Sequence, residues 1–176
     1  MQTARLEFVP HTPQGLRALI DGYDEFADKF GIPAAVGLRE FFVSGDISAD
    51  WLAKLAAATG ADPWTFGFAI VHRADRLVIG SGGFKGPPTV EDAFLVCEIA
   101  YGIAPGYRCQ GFATETAQAL VDYAIASGRV GLVRAHTLPE PNASSRVLTK
   151  CGFKKIGGVV DPEDGLVWRW ERNIGN

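Results

Sequence analysis

The spacing of apolar residues changes twice along the chain, and each change predicts a different kind of element. Leu6-Glu7-Phe8-Val9 alternates like a short strand, after which Thr12-Pro13 offers a helix cap with proline in the first turn. Leu16, Leu19, Ile20, Tyr23, Phe26 and Ala27 then follow at the period of a helix that Gly31-Ile32-Pro33 ends. A short helix over 38–43, and another capped by Ser48 that runs through Trp51, Leu52, Leu55 and Ala58 to Gly60, make the first third mostly helical. From Trp64 the period becomes two. Trp64, Phe66, Phe68 and Ile70 alternate with Thr65, Gly67, Ala69 and Val71, and a turn at Ala74-Asp75 leads into Arg76 to Gly80, which predicts an antiparallel hairpin.

After a Gly86-Pro87-Pro88 loop, Phe94 to Ile103 is a run of strand formers. A helix follows with Ala113, Ala117, Leu120, Val121, Ala124 and Ile125 on one face, and it stops at Gly128. Leu132 to Thr137 reads as a strand, Asn142 caps a short helix ended by Gly152, and 153–160 with 166–171 make a closing hairpin around Asp161-Pro162-Glu163-Asp164-Gly165. The order predicts a mixed α/β layer fold, with one domain over residues 1–176. That length buries most of a chain's apolar surface without disulfides or metal.

The richest segment is the junction Tyr101-Gly102-Ile103-Ala104-Pro105-Gly106-Tyr107-Arg108-Cys109-Gln110-Gly111-Phe112-Ala113-Thr114-Glu115. An apolar strand ends in a proline turn and passes through Arg-x-x-Gly-x-Ala into a helix. The amides of Cys109, Gln110, Gly111, Phe112 and Ala113 lie at a helix start, where they lack backbone partners and where the helix dipole attracts a phosphate. Gly111 allows close approach to bare backbone. The segment is neither the Gly-x-x-x-x-Gly-Lys-Ser/Thr loop of nucleoside triphosphatases nor the three-glycine dinucleotide fingerprint.

This pattern resembles the Arg/Gln-x-x-Gly-x-Gly/Ala signature of the GCN5-related N-acetyltransferase (GNAT) superfamily. A second segment, Asn142-Ala143-Ser144-Ser145-Arg146-Val147-Leu148-Thr149-Lys150-Cys151-Gly152-Phe153, is similar to the family's Asn-x-Ser-x-x-Val-Leu-x-Lys-x-Gly-Phe stretch, in the right order and at the right distance. Together the two are nearest to the RimJ/RimL-type ribosomal-protein N-acetyltransferase branch. The resemblance is good over 65–172 and extends to the first sixty residues only in length and helical character. It implies a central, mostly antiparallel sheet with splayed fourth and fifth strands, flanked by helices. Residues 64–172 would form the acetyl-CoA-binding core and 1–60 the acceptor side.

The resemblance also implies roles. Arg108 to Thr114 would hold the pyrophosphate of acetyl-CoA, and the backbone of Ile103 would pair with the pantetheine arm in the splay. Glu98 is the one charge within an apolar strand; the branch implies a base there, while a solvent-facing edge position is the plainer reading. Many superfamily members carry a tyrosine acid where Leu148 stands, which this chain lacks; the RimJ/RimL-type branch instead implies a serine donor at the start of this helix, matching Ser144, whose plainer reading is a residue suited to a first helical turn. Asn142 would cap that helix and touch the pantetheine or the serine, with Tyr101 and Tyr107 as spare donors. The implied reaction is direct acetyl transfer through a ternary complex to an α-amino group of a protein or to a small-molecule amine. The alternatives are another acyl-CoA, an antibiotic or polyamine acceptor, or a non-catalytic acyl-CoA-binding domain.

Composition narrows the partners. The formal charge is −3, with 17 Lys and Arg against 20 Asp and Glu, and no basic stripe suits nucleic acid. Met1 to Arg5 lacks a signal core and no run approaches the ~20 apolar residues of a membrane span, so a cytoplasmic monomer or homodimer is expected. Cys97, Cys109 and Cys151 show no pairing or zinc spacing and read as reduced thiols. His11, His72 and His136 read as surface or loop residues. Asp21, Asp24, Glu25 and Asp28 attract a cationic acceptor or, more simply, form a solvated helix face.

Overall fold

The computed structural model describes residues 1–43, 48–91, 94–162 and 164–175. Its elements, in order, are β1 Leu6–Pro10, α1 Pro13–Asp21, α2 Tyr23–Phe30, α3 Glu40–Val43, α4 Ala49–Ala57, β2 Phe68–His72 and β3 Leu77–Phe84. There follow β4 Thr89–Glu91, β5 Phe94–Ile103, a 3₁₀ turn Pro105–Tyr107, α5 Phe112–Ala126, β6 Leu132–Thr137, α6 Ala143–Lys150, β7 Lys154–Asp161 and β8 Gly165–Asn173. The strands form an open eight-stranded sheet in the order β1-β2-β3-β5-β6-β8-β7, with β4 beside β5. Every pairing is antiparallel except β5 with β6.

Both faces of the sheet are covered, and strand alternation divides the core between them. On one face Ile70, Ile79 and Ile99 pack with Leu120, Val121 and Ala124 of α5. On the other, Ala69, Val71 and Val78 meet Leu19 and Phe26 of α1 and α2. β2 is therefore apolar at consecutive positions.

Four expectations change. The helix expected from 12 to 30 is two helices, separated at Gly22, whose backbone is extended while its amide still bonds to Ala18 O. Trp64 to Gly67 is not strand. Asp62 takes the Trp64 amide (3.0 Å) on its side chain and the Phe66 amide (2.7 Å) on its carbonyl, winding the segment into turns before β2 begins. This turn lies hard against β3, since a Cβ on Gly83 would stand 2.4 Å from Gly67 Cα. α4 ends at Ala57, with Ala58 as its extended cap, rather than running on to Gly60. Lastly, β3 runs past Gly80 to Phe84, and the Gly86-Pro87-Pro88 loop is followed by an added strand, β4, with Asp92 and Ala93 outside the described residues. The splayed pair is consequently β5 and β6.

The splay is visible in the register. β5 pairs with β6 only through Val96↔Leu132, Cys97↔Val133 and Glu98↔Arg134, although both strands continue beyond. On its other side β5 stays paired to β3 through Ile103. Glu98 O accepts from Lys85 N (2.9 Å) and Ala104 N donates to Ile79 O (2.8 Å), so the even-numbered residues bond toward β3. Alternation then aims the amide groups of Tyr101 and Ile103 into the gap.

Candidate active site

The junction between β5 and α5 leaves a row of backbone amides open at a helix start, the geometry that an anion cradle needs. Cys109 (φ 61) and Gly111 (φ 85) are both left-handed, which turns the chain sharply into the helix. From Cys109 to Thr114 the amides donate to no protein acceptor among the described residues. A cavity of ≈520 Å³ is lined here by Ile103, Arg108, Cys109, Gly111, Phe112, Ala113 and Thr114, and on its far side by Ser144, Arg146 and Lys150. Gln110 and Asn142 do not line it. Gln110 Nε2 donates to Gly106 O, while Asn142 Oδ1 caps α6 by accepting from the Ser145 amide (2.9 Å). Arg108 Nε donates to Ile103 O (2.9 Å), which leaves Ile103 its amide for the gap.

The cradle is clamped from outside by a residue that no local pattern marks. Arg5 donates through Nη1 to Gln110 O (3.0 Å) and through Nε to Glu115 Oε2 (2.8 Å), with its guanidinium 4.3 Å from the centre of the Phe112 ring. Burial pushes the Glu115 carboxyl up, but Thr3 and Arg5 outweigh it and hold it below the usual carboxylate range. Tyr107 is not a spare donor. Its hydroxyl donates to Asp75 Oδ2 (2.7 Å), tying the loop to the β2–β3 turn.

A second cavity, ≈320 Å³, lies in the splay and is lined by Glu98, Tyr101, His136, Ser144, Leu148 and Lys85, among others. The alternation of β6 buries Val133, Ala135 and Thr137 and puts His136 on the other face. There its Nδ1 lies 3.1 Å from Glu98 Oε1, with Lys85 Nζ 3.3 Å from the same oxygen. Arg169 Nε donates to His136 Nε2 (3.4 Å), which makes Nε2 the acceptor and assigns the proton to Nδ1, facing Glu98. Glu98 Oε2 has no partner among the described residues. Burial lowers the pKa of Lys85, but the Glu98 and Asp164 carboxylates outweigh it and hold the ammonium above its ordinary value.

Ser144 is exposed on the first turn of α6 and lines both cavities. Tyr101 also lines both, and its buried hydroxyl has no partner among the described residues. Burial, with Cys151 nearby, pushes that phenol well above its ordinary pKa. The sequence reading thus brought Glu98 and Ser144 to one cleft and missed His136 and Lys85. The signal for His136 was its alternation along β6, usable only once the register was known.

His11 is likewise no surface residue. It is fully buried, with Nε2 3.0 Å from Ser81 Oγ and Nδ1 without a hydrogen-bond partner among the described residues, and burial lowers its pKa to about 3. Between pH 3 and 6.5 the unfolded chain therefore binds a proton that the folded chain refuses, so stability rises with pH over that window and is complete above it. On this ground wild-type protein is expected to lose about 2 kcal/mol between pH 7 and pH 5 through this residue. Urea midpoints at both pH values check it, because His11→Asn should lack this part of the loss; an equal loss in both proteins would remove His11 as its source.

No described helix is long and apolar enough to cross a membrane. Among known proteins, the family model described as "Acetyltransferase (GNAT) domain" matches residues 5–154. An uncharacterized N-acetyltransferase, p20 of Bacillus licheniformis, is 30% identical over 96 residues, which is 54% of this chain. The match spans about half, 52%, of that relative's length. A putative GNAT-family acetyltransferase from Bordetella pertussis aligns over 98% of both chains, with TM-score 0.64 and 21% identity. RimL, the ribosomal L7/L12 alpha-N-protein acetyltransferase in complex with coenzyme A, aligns over 98% of this chain and 96% of its own, with TM-score 0.62 and 16% identity. At such identities the two structures speak for the fold, while the family model covers both the anion cradle and the Asn142–Phe153 segment: the chain belongs to the GNAT acetyltransferase family.

Proposed function

We propose that this chain acts as one RimJ/RimL-type GNAT domain that transfers the acetyl group of acetyl-CoA directly to a primary amine in a ternary complex. The observation that carries the reading is the meeting of the anion cradle, the open edge of β5 and the Glu98–Ser144 cleft, with Tyr101 and Ser144 lining both cavities. A pyrophosphate fits the free amides from Cys109 to Thr114, and the pantetheine carbonyls fit the amides of Tyr101 and Ile103 that face the gap. The acetyl end then reaches the cleft.

Attack needs a neutral amine. An α-amino group of pKa ~8 costs about 1.4 kcal/mol to deprotonate at pH 7, against about 4.6 for a lysine of ~10.4, so the reading favours α-amino or small-molecule amines. Glu98 Oε2 accepts the proton, directly or through a water. His136 and Lys85 hold the opposite oxygen, which orients the carboxylate and keeps Oε2 toward the cleft. Ser144 stands ready to hydrogen-bond the departing sulfur. The buried, protonated phenol of Tyr101 is the second donor in reach of the junction.

Steady-state thiol release from acetyl-CoA with a panel of amines tests the proposal. Release that depends on the amine, with lines intersecting in double-reciprocal plots, is expected of a ternary complex. Release that no amine accelerates would leave an acyl-CoA-binding domain, and parallel lines would replace direct attack with an acetyl-enzyme.

A further inference from the structure

A third cavity of ≈620 Å³ opens beside the Glu98 cleft, joined to it at Tyr101 and Lys85. Its lining is aromatic. Phe42 and Trp51 lie 6.1 Å apart between ring centroids and Trp51 and Phe66 5.9 Å, making one continuous wall that Phe41, Phe84 and Tyr101 complete. The wall is held in place, since Trp51 Nε1 donates to Thr65 O (3.1 Å) and a Cβ on Gly102 would fall 2.7 Å from the Phe41 ring.

Charge in this pocket is sparse. Glu40, whose Oε2 accepts from the Tyr23 hydroxyl (2.9 Å), is the one lining carboxylate among the described residues, and Lys85 supplies the opposite charge. Ser81 contributes a hydroxyl from β3, and His11 beneath it stays neutral. The exposed acids Asp21, Asp24, Glu25 and Asp28 do not line the pocket, so they add no local cation site.

Resting on the acetyl-transfer reading above, we propose that the acceptor is a primary monoamine carried on an apolar, ring-sized body, and that the pocket selects against polycations. Aromatic faces bury such a body and attract a single ammonium on its way in. A polyamine's further charges would find only Glu40 among the residues lining this pocket, because the Glu98 and Asp164 carboxylates next door are already engaged by Lys85. An aminoglycoside would exchange the hydration of its hydroxyls for ring faces that accept almost no hydrogen bonds. The chemistry is shared by arylalkylamines and by α-amino groups of peptides that begin with a large aromatic residue.

The test compares kcat/KM for 2-phenylethylamine, a phenylalanyl peptide, an otherwise identical glycyl peptide, spermidine and kanamycin. The first two are expected to exceed the last three at least tenfold, and their order shows whether the source is a small molecule or a peptide. Trp51→Ala should raise KM for the better aromatic acceptor about tenfold with kcat changed less than threefold and KM for acetyl-CoA unmoved, and Trp51→Phe should restore most of it. Equal or faster turnover of spermidine or kanamycin would overturn the proposal while acetyl transfer itself stood. Should no amine react, acetyl transfer fails, and calorimetry of 2-phenylethylamine with the CoA-saturated protein decides the pocket: binding that weakens in Trp51→Ala upholds it, and no binding overturns it.

Discussion

Glu98→Gln lowers kcat at pH 7 by about two to three orders of magnitude, with acetyl-CoA affinity changed less than threefold. The substitution keeps the shape of the side chain and an oxygen that accepts from His136 and Lys85, so the splay between β5 and β6 retains its contacts. What disappears is the negative charge that, in the proposed mechanism, takes the proton from the attacking nitrogen. Because Glu98 does not line the anion cradle, the coenzyme's phosphates do not sense the change. The loss should shrink at pH 9, where an α-amine of pKa ~8 is already mostly neutral and hydroxide assists. Steady-state rates at both pH values, with CoA titrations of the same preparations, check this. A fall in kcat of less than about fivefold at pH 7 would take Glu98 out of proton transfer and turn attention to His136.

The parts of this site that could be read from sequence are those built from neighbours in the chain. The cradle is an example: the proline turn, Gly111 and the start of α5 lie within ten residues, and each dictates local backbone. The α6 cap is another. Asn142 and Ser145 exchange side-chain and backbone bonds three residues apart, a pattern that local sequence carries whole. β6 was read to the residue for a related reason, since its alternation is strict and Gly131 and Leu138 bound it.

Where reading failed, the cause was distance or competition. His136 meets Glu98 across 38 residues and Arg5 meets Gln110 and Glu115 across 105 and 110, so no window of sequence joins them. Trp64 and Phe66 have the right period for a strand, but Asp62 offers the backbone closer partners and the turn wins. Tyr107 looked available because its acceptor, Asp75, belongs to another hairpin. The aromatic pocket was invisible for a similar reason. Phe42, Trp51 and Phe66 come from α3, α4 and a turn, and each alone reads as core.

Gly111→Asp is expected to weaken CoA binding at least thirtyfold, or about 2 kcal/mol. Two effects combine. The backbone at Gly111 is left-handed, φ 85, which an L-residue adopts at a cost of roughly 1 kcal/mol or more. The added carboxylate would also stand among the amides from Cys109 to Thr114, repelling the pyrophosphate and occupying its donors. Arg5 Nη2, 3.4 Å from where the new Cβ would be, does not cancel that charge, because the guanidinium is already engaged by Glu115 and Gln110 O. Gly111→Asn separates the two effects. Asparagine tolerates the left-handed region and matches aspartate in shape, so it should lose well under half of the binding energy that aspartate loses. Calorimetry with CoA at low and moderate salt reads the difference, which should narrow as salt screens the carboxylate. If Asp and Asn variants bound CoA equally, with thermal melts like wild type, no phosphate would lie at this helix start.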